Sequence, residues 1–153
     1  MKLKKILIAV DNSELSLQTA LMGVDFARVA GINQIGLVFV IETLKAISTP
    51  ELGYIAMDAV QKSQVEAEAW LDSIIKKINY DKIKITKFMP EGDNWNKIID
   101  TADEWGADMI AVGSHGRTGF SHLLLGSVAE SVVRHTKIPV LVFPAKFVNK
   151  EEK

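Results

Sequence analysis

Residues 5–41 read KILIAVDNSELSLQTALMGVDFARVAGINQIGLVFVI, and the hydrophobic period changes twice within them. Lys5 to Val10 is a short apolar run with β-branched residues, the pattern of a strand buried on both faces. Asp11-Asn12-Ser13 breaks it. From Glu14 to Ala30 the apolar positions Leu17, Leu21 and Val24 recur at helical spacing. Gly31 stands where a helix C-terminus favours a left-handed residue. Ile35 to Ile41 is a second buried strand. A strand, a helix and a second wholly apolar strand describe two parallel strands joined by a crossover.

The alternation continues outward from this unit. Residues 43–57 have no clean period, contain Pro50 and Gly53, and read as a loop with at most a short helical turn. A helix over 58–78 follows, with Val60, Ala67, Leu71, Ile74 and Ile78 on one stripe. Lys82 to Met89 alternates in its first half, as a half-exposed edge strand does. Pro90 to Asp93 is a turn, Asn94 to Trp105 a third helix closed by Gly106, and Asp108 to Val112 a fourth strand. After a glycine-rich loop come a helix over 127–136 and a fifth strand, Pro139 to Phe143. The order β-α-β-α-β-α-β-α-β predicts an α/β fold, a three-layer Rossmann-like open sandwich with a five-stranded parallel sheet. Right-handed crossovers leave few arrangements, and strand order 3-2-1-4-5 puts the half-exposed third strand at an edge. Residues 1–145 are expected to form one domain and 146–153 a charged tail.

Composition narrows the function. Eighteen Lys and Arg against nineteen Asp and Glu leave a net charge of −1, which excludes attachment to nucleic acid or an anionic membrane by bulk charge. With no cysteine there is no disulfide, no CxxC redox pair and no Cys-ligated metal. No apolar run approaches the ~20 residues that cross a bilayer, and the stretch after Lys4-Lys5 is too short for a signal peptide. A cytoplasmic location is the expectation.

In an open parallel sheet, ligands bind beyond the carboxyl ends of the strands where the strand order reverses. Here that crevice lies between Val10-Asp11-Asn12 and Val112-Gly113-Ser114. The second of these opens the loop Gly113-Ser114-His115-Gly116-Arg117-Thr118-Gly119-Phe120-Ser121-His122-Leu123-Leu124-Leu125-Gly126-Ser127. Glycines let backbone amides approach an anion closely, and the helix starting near Ser127 adds unpaired N–H groups. Arg117 is a candidate mobile cation. Two other fingerprints are absent: GxxxxGK[ST] and GxGxxG.

The spacing present is Gly113-x2-Gly116-x9-Gly126-Ser127, which resembles the Gly-x2-Gly-x9-Gly-(Ser/Thr) motif of ATP-binding members of the universal stress protein family. Ile6 to Ser13 is similar to that family's opening strand and Asp-Gly-Ser turn, with Asn12 in place of Gly. Glu91-Gly92, Ala107 to Gly116 and Pro139 to Val142 extend the resemblance across residues 3–144. It implies adenine against the backbone of Val40 and Asp11 beside the ribose or a divalent cation. It implies a triphosphate held by Gly113, Ser114, His115, Gly116, Gly126, Ser127 and Val128. The implied cofactors are ATP with Mg²⁺ or Mn²⁺, and the implied assembly is a homodimer through the edge strand Pro139–Phe143.

Structural roles compete for some of these residues. Ser127-Val128-Ala129-Glu130 also reads as a capping box, and Asp11 with Ser13 as a turn that caps the first helix. His115 and His122, seven apart with no third ligand, are poorly spaced for zinc. His135 reads as a surface cation at a helix end, and Trp70, Trp95 and Trp105 as core or interface. No Glu or Asp accompanies the glycine loop as a catalytic base and His115 is only a candidate, while Ser-Gly-Gly-x-Asp-Ser and His-x-Gly-His, found in adenylating relatives, do not occur. The reading is therefore a nucleotide-binding regulatory protein of the stress response, with ATP or a related adenine nucleotide as a switch ligand and slow or no hydrolysis. No nucleic acid or membrane partner is expected. The alternatives are a slow ATPase or nucleotide-transfer enzyme, and a nucleotide-free dimeric interaction module.

Overall fold

A computed structural model of the chain describes residues 3–43, 50–114 and 125–144, with the backbone alone over 50–55. Nine elements alternate: β1 Lys5–Ala9, α1 Glu14–Ala30, β2 Gln34–Val38, α2 Pro50–Lys77, β3 Lys84–Phe88, α3 Asn94–Trp105, β4 Met109–Gly113, α4 Ser127–His135 and β5 Val140–Phe143. The strands form one parallel sheet in the order β3-β2-β1-β4-β5, the order the sequence predicts. Residues 146–153 lie outside the described residues.

Alternation along each strand divides the core in two. Ile6, Ile8, Ile35 and Leu37 pack with Leu17, Val24, Leu71 and Ile74 under α1 and α2. Leu7, Val38, Ile110 and Val112 pack with Ile98, Ala102, Ala129 and Val132 under α3 and α4. The central strands are apolar throughout because each of their faces is covered by a helix layer. Gly36 belongs to this packing: a Cβ there would lie 2.7 Å from Leu7 Cδ1 and 3.0 Å from both Phe88 and Trp105.

Local chemistry sets the helix ends. Ser13 caps α1, its hydroxyl accepting from Ser16 N–H at 3.1 Å. Gly31 (φ 71°) and Gly106 (φ 70°) end α1 and α3 in the left-handed conformation that glycine adopts without strain.

The structure corrects three expectations. First, α2 runs 28 residues from Pro50, so a helix occupies most of a segment expected to be a loop. Proline suits the first turn of a helix, where its missing N–H would have had no partner, and Gly53 costs only about 1 kcal/mol there. The part of that segment at 44–49 lies outside the described residues. Second, β2 stops at Val38, although Phe39, Val40 and Ile41 stay buried. Pairing with β1 ends here, while on the other side Phe39 still donates to Phe88 O and an isolated parallel bridge joins Ile41 to Glu91. Third, Ser127 is not an N-cap. Gly126 holds that position with no side-chain cap bond, and the Glu130 N–H donates to Gly126 O at 2.8 Å, which starts the helical register one residue earlier. The Glu130 carboxylate accepts from Arg134 at 2.6 Å instead of reaching back.

Candidate functional site

The cleft arises from a divergence of strands. β1 pairs with β4 only as far as Ile8 and Ala111, whereas β4 stays paired with β5 out to Gly113 and Phe143. Past Ile8 the two central strands part, with α1 on one side of the sheet and α4 on the other. A cleft of about 570 Å³ opens at their carboxyl ends, within the usual size range of small-ligand pockets. Six of the nine residues expected to contact nucleotide line it: Asp11, Val40, Gly113, Gly126, Ser127 and Val128.

Asp11 is held in a tight turn. Its carboxylate accepts from Ser13 N–H at 2.9 Å, and its own N–H donates to Ser16 Oγ at 2.6 Å. Its carbonyl accepts from the Trp70 indole N–H at 2.6 Å. The turn-forming role read from the sequence is thus present, and the same turn forms one lip of the cleft.

Val40 offers backbone, not side chain. Val10 N–H donates to Val38 O at 2.9 Å, so even-numbered residues of this segment turn their peptide groups toward β1. Odd-numbered ones face β3, where Phe39 and Ile41 N–H donate to Phe88 O and Pro90 O, each at 2.9 Å. Val40 is the next even residue, beyond the last rung with β1. Among the described residues no backbone bond engages its N–H or C=O. The result is a donor and an acceptor side by side on the cleft wall.

The opposite wall is the start of α4. Glu130 N–H makes the first bond inside the helix, leaving the N–H groups of Ser127, Val128 and Ala129 without intrahelical partners, and no side chain caps them. All three residues line the cleft. Such a helix start attracts anions through its donors and its dipole. Ser114, buried just behind, ties this end together. Its N–H donates to Phe143 O at 2.8 Å and its carbonyl accepts from Gly126 N–H at 2.6 Å. The residues bracketing the glycine loop therefore meet at one point. His115 and Gly116 lie outside the described residues, as do Arg117 and His122.

Sequence reasoning missed the third wall. Ser63, Glu66 and Ala67 of α2 line the cleft, as do Glu42 and Asn94, the Asn94 amide donating to Glu42 Oε1 at 2.5 Å. The described lining carries the carboxylates of Asp11, Glu42 and Glu66 and neither Lys nor Arg. No group of three or more His, Cys, Asp or Glu able to hold a metal gathers among the described residues. The other histidine is remote from this chemistry: His135 stacks on Trp95 at 4.5 Å between ring centroids, and its Nδ1 lies 2.8 Å from Ser131 O.

The resolved pKa shifts lie outside the cleft lining. Backbone N–H groups of Lys4 and Lys5 at 2.8 and 2.9 Å hold the Asp108 carboxyl below its ordinary value. Hydrogen bonds to Asp72 and Glu68 hold the Lys87 ammonium above its own. Both bind elements together and neither faces the cleft. No helix among the described residues is long and apolar enough to cross a membrane.

Known proteins agree with this architecture. The family model described as universal stress protein family matches residues 2–144. Universal stress protein MJ0531 of Methanocaldococcus jannaschii is 32% identical over 139 residues, 91% of this chain and 81% of that protein. The solved structure of MJ0577, from the same organism, superposes with a TM-score of 0.80 at 27% identity, covering 94% of this chain and 97% of that one. Two solved relatives hold adenine nucleotides: a universal stress protein in complex with cAMP (TM-score 0.59, 20% identity, 95% of this chain and 99% of that one), and one from Archaeoglobus fulgidus in complex with dAMP (TM-score 0.58, 22% identity, 93% of this chain and 98% of that one). At those identities the likeness is one of fold. The chain belongs to the universal stress protein family.

Proposed function

We propose that this chain binds an adenine nucleotide in the cleft, with ATP as a regulatory ligand that is hydrolysed slowly or not at all. The observation that carries this reading is the uncapped start of α4. Three adjacent backbone donors, at Ser127, Val128 and Ala129, open on a cleft that has no basic side chain among its described lining residues. A phosphate group satisfies such donors and neutralises the positive helix end. Across the cleft, the N–H and C=O of Val40 match the acceptor N1 and donor N6 of an adenine edge. Gly113, Ser114, His115 and Gly116 extend the phosphate cradle.

The donor chemistry also suits Mg²⁺ or Mn²⁺. The polar side chains of the described lining offer oxygen ligands, which hard cations prefer, and a polyphosphate beside Asp11 needs a counter-charge. Asp11 and the phosphates would share the ion, which supplies charge neutralisation when bound. The cAMP- and dAMP-bound relatives support an adenine monophosphate as a second ligand, since one phosphate suffices to occupy a helix start.

As output of the switch we propose assembly as a homodimer. β5 is an edge strand that pairs on one side with β4, and its four residues are only partly buried. A second copy pairing there across a two-fold axis would cover it.

The test is direct. Purified protein is denatured with acid and its supernatant resolved by anion exchange, alongside thermal shifts with Mg-ATP, Mg-ADP and cAMP. A stoichiometric adenylate peak or a saturable shift is expected. Neither, in the wild-type chain, refutes the reading and leaves the nucleotide-free interaction module. Gly116→Val and Gly126→Val are expected to abolish binding with the fold retained. ADP released over time from excess ATP separates an enzyme from a switch.

A further inference from the structure

We infer that Trp70 is a positioning residue for the cleft, holding the Asp11 corner in place from α2. This rests on the nucleotide reading above for its functional consequence, though not for its geometry.

The Asp11 corner has three anchors of different origin. Two come from α1 and its own cap: Ser16 Oγ takes the Asp11 N–H at 2.6 Å, and the Asp11 carboxylate takes Ser13 N–H at 2.9 Å. These bonds span at most five residues and form with α1 itself. The third crosses 59 residues of chain: the Trp70 indole N–H donates to Asp11 O at 2.6 Å. It joins this corner directly to α2.

Position along α2 gives the bond its significance. Ser63, Glu66 and Ala67 form a cleft wall, and Trp70 lies one helical turn beyond Ala67. One side of the helix therefore shapes the pocket at 63–67 and grips the opposite lip at 70. The partly buried Trp70 ring also packs against the α1–α2 core. An indole N–H is a donor only, and the carbonyl it meets belongs to the residue that turns the chain into the cleft. Displacement of α2 along its axis would pull this carbonyl and move the lip. By linkage, a ligand that prefers the present lip position favours the docked α2.

Replacing Trp70 with benzothienylalanine keeps the bicyclic shape and deletes only the N–H. Titration calorimetry with Mg-ATP on the full-length chain is expected to show affinity weakened about three- to tenfold, the usual effect of one lost hydrogen bond. Hydrogen exchange without nucleotide is expected to quicken at the Asp11 and Ser13 amides. Exchange in the last turns of α1 is expected to stay as in wild type. Trp70→Phe should reproduce both effects. Wild-type affinity together with unchanged exchange at Asp11 and Ser13 in the isostere overturns the inference. Accelerated exchange with wild-type affinity overturns the coupling to ligand. If the wild-type chain binds no adenylate, the proposed function falls while exchange at Asp11 and Ser13 still decides whether Trp70 holds the corner.

Discussion

Ser127→Pro isolates one amide of the proposed anion cradle without disturbing the helix that carries it. Ser127 is the first residue of α4, the position where proline is most welcome, because the N–H there has no helical partner. The residue before a proline must be extended, and Gly126 already is, at φ −60° and ψ 151°. The substitution should therefore leave the fold intact and, by restricting the unfolded chain, change its stability by under about 1 kcal/mol. A phosphate at the helix start loses one hydrogen bond to a charged group, about 1.5–3 kcal/mol, or roughly 10- to 100-fold in affinity. The hydroxyl is lost as well, so Ser127→Ala serves as the control. Titration calorimetry with Mg-ATP on the three proteins, with circular dichroism melts in parallel, measures both quantities. Equal affinity in Ser127→Pro and Ser127→Ala, with α4 intact, would refute the assignment of phosphate to this helix start.

Other perturbations test the surrounding structure. Gly36→Ala places a methyl 2.7 Å from Leu7 Cδ1 in a filled layer, and thermal melts should show Tm lowered by roughly 3–10 °C. Asp108→Asn removes a carboxylate that native hydrogen bonds hold below its ordinary value of 3.8. Its contribution, about 1 kcal/mol at most for a half-buried group in contact with solvent, is present above that pH and lost as pH falls through the lower native value. The Tm gap between wild type and variant should accordingly close on acidification, and a gap that widens would contradict the sign. In β5, Pro139 and Phe143 carbonyls face β4, accepting from Ile110 and Ser114 N–H at 3.0 and 2.8 Å, so Val142 turns its N–H outward. Val142→Pro should leave the β4 ladder and convert a dimer to monomer by light scattering; a wild-type monomer at micromolar concentration contradicts the dimer itself.

How legible the molecule was depended on whether a signal was local. Asn94 to Trp105 and its Gly106 terminator were read to the residue, because period and cap both lie within the segment. The sheet order followed from apolar strands and crossover handedness, and from it came the two strand ends that flank the cleft. The α2 wall was not legible. Pro50 and Gly53 are loop-like residues taken alone, and the helix through them is a product of tertiary context. The start of α4 at Ser127 was legible but its cap was not, because Ser127 and Glu130 have the right types for a capping box while Gly126 holds the cap position. The bond from Gly126 to Ser114 depends on residues 12 apart in sequence, and no local pattern announces it.

That bond has an evolutionary corollary. Ser114 and Gly126 meet as the two posts of a gate, with β5 braced behind one and α4 standing on the other. The bond fixes the two ends of the stretch between those posts, and lengthening a closed segment adds only about 0.6 kcal/mol per doubling. Insertion, deletion or wholesale replacement of that stretch thus costs the scaffold little. A designer wishing to retarget this scaffold would cut and splice there first.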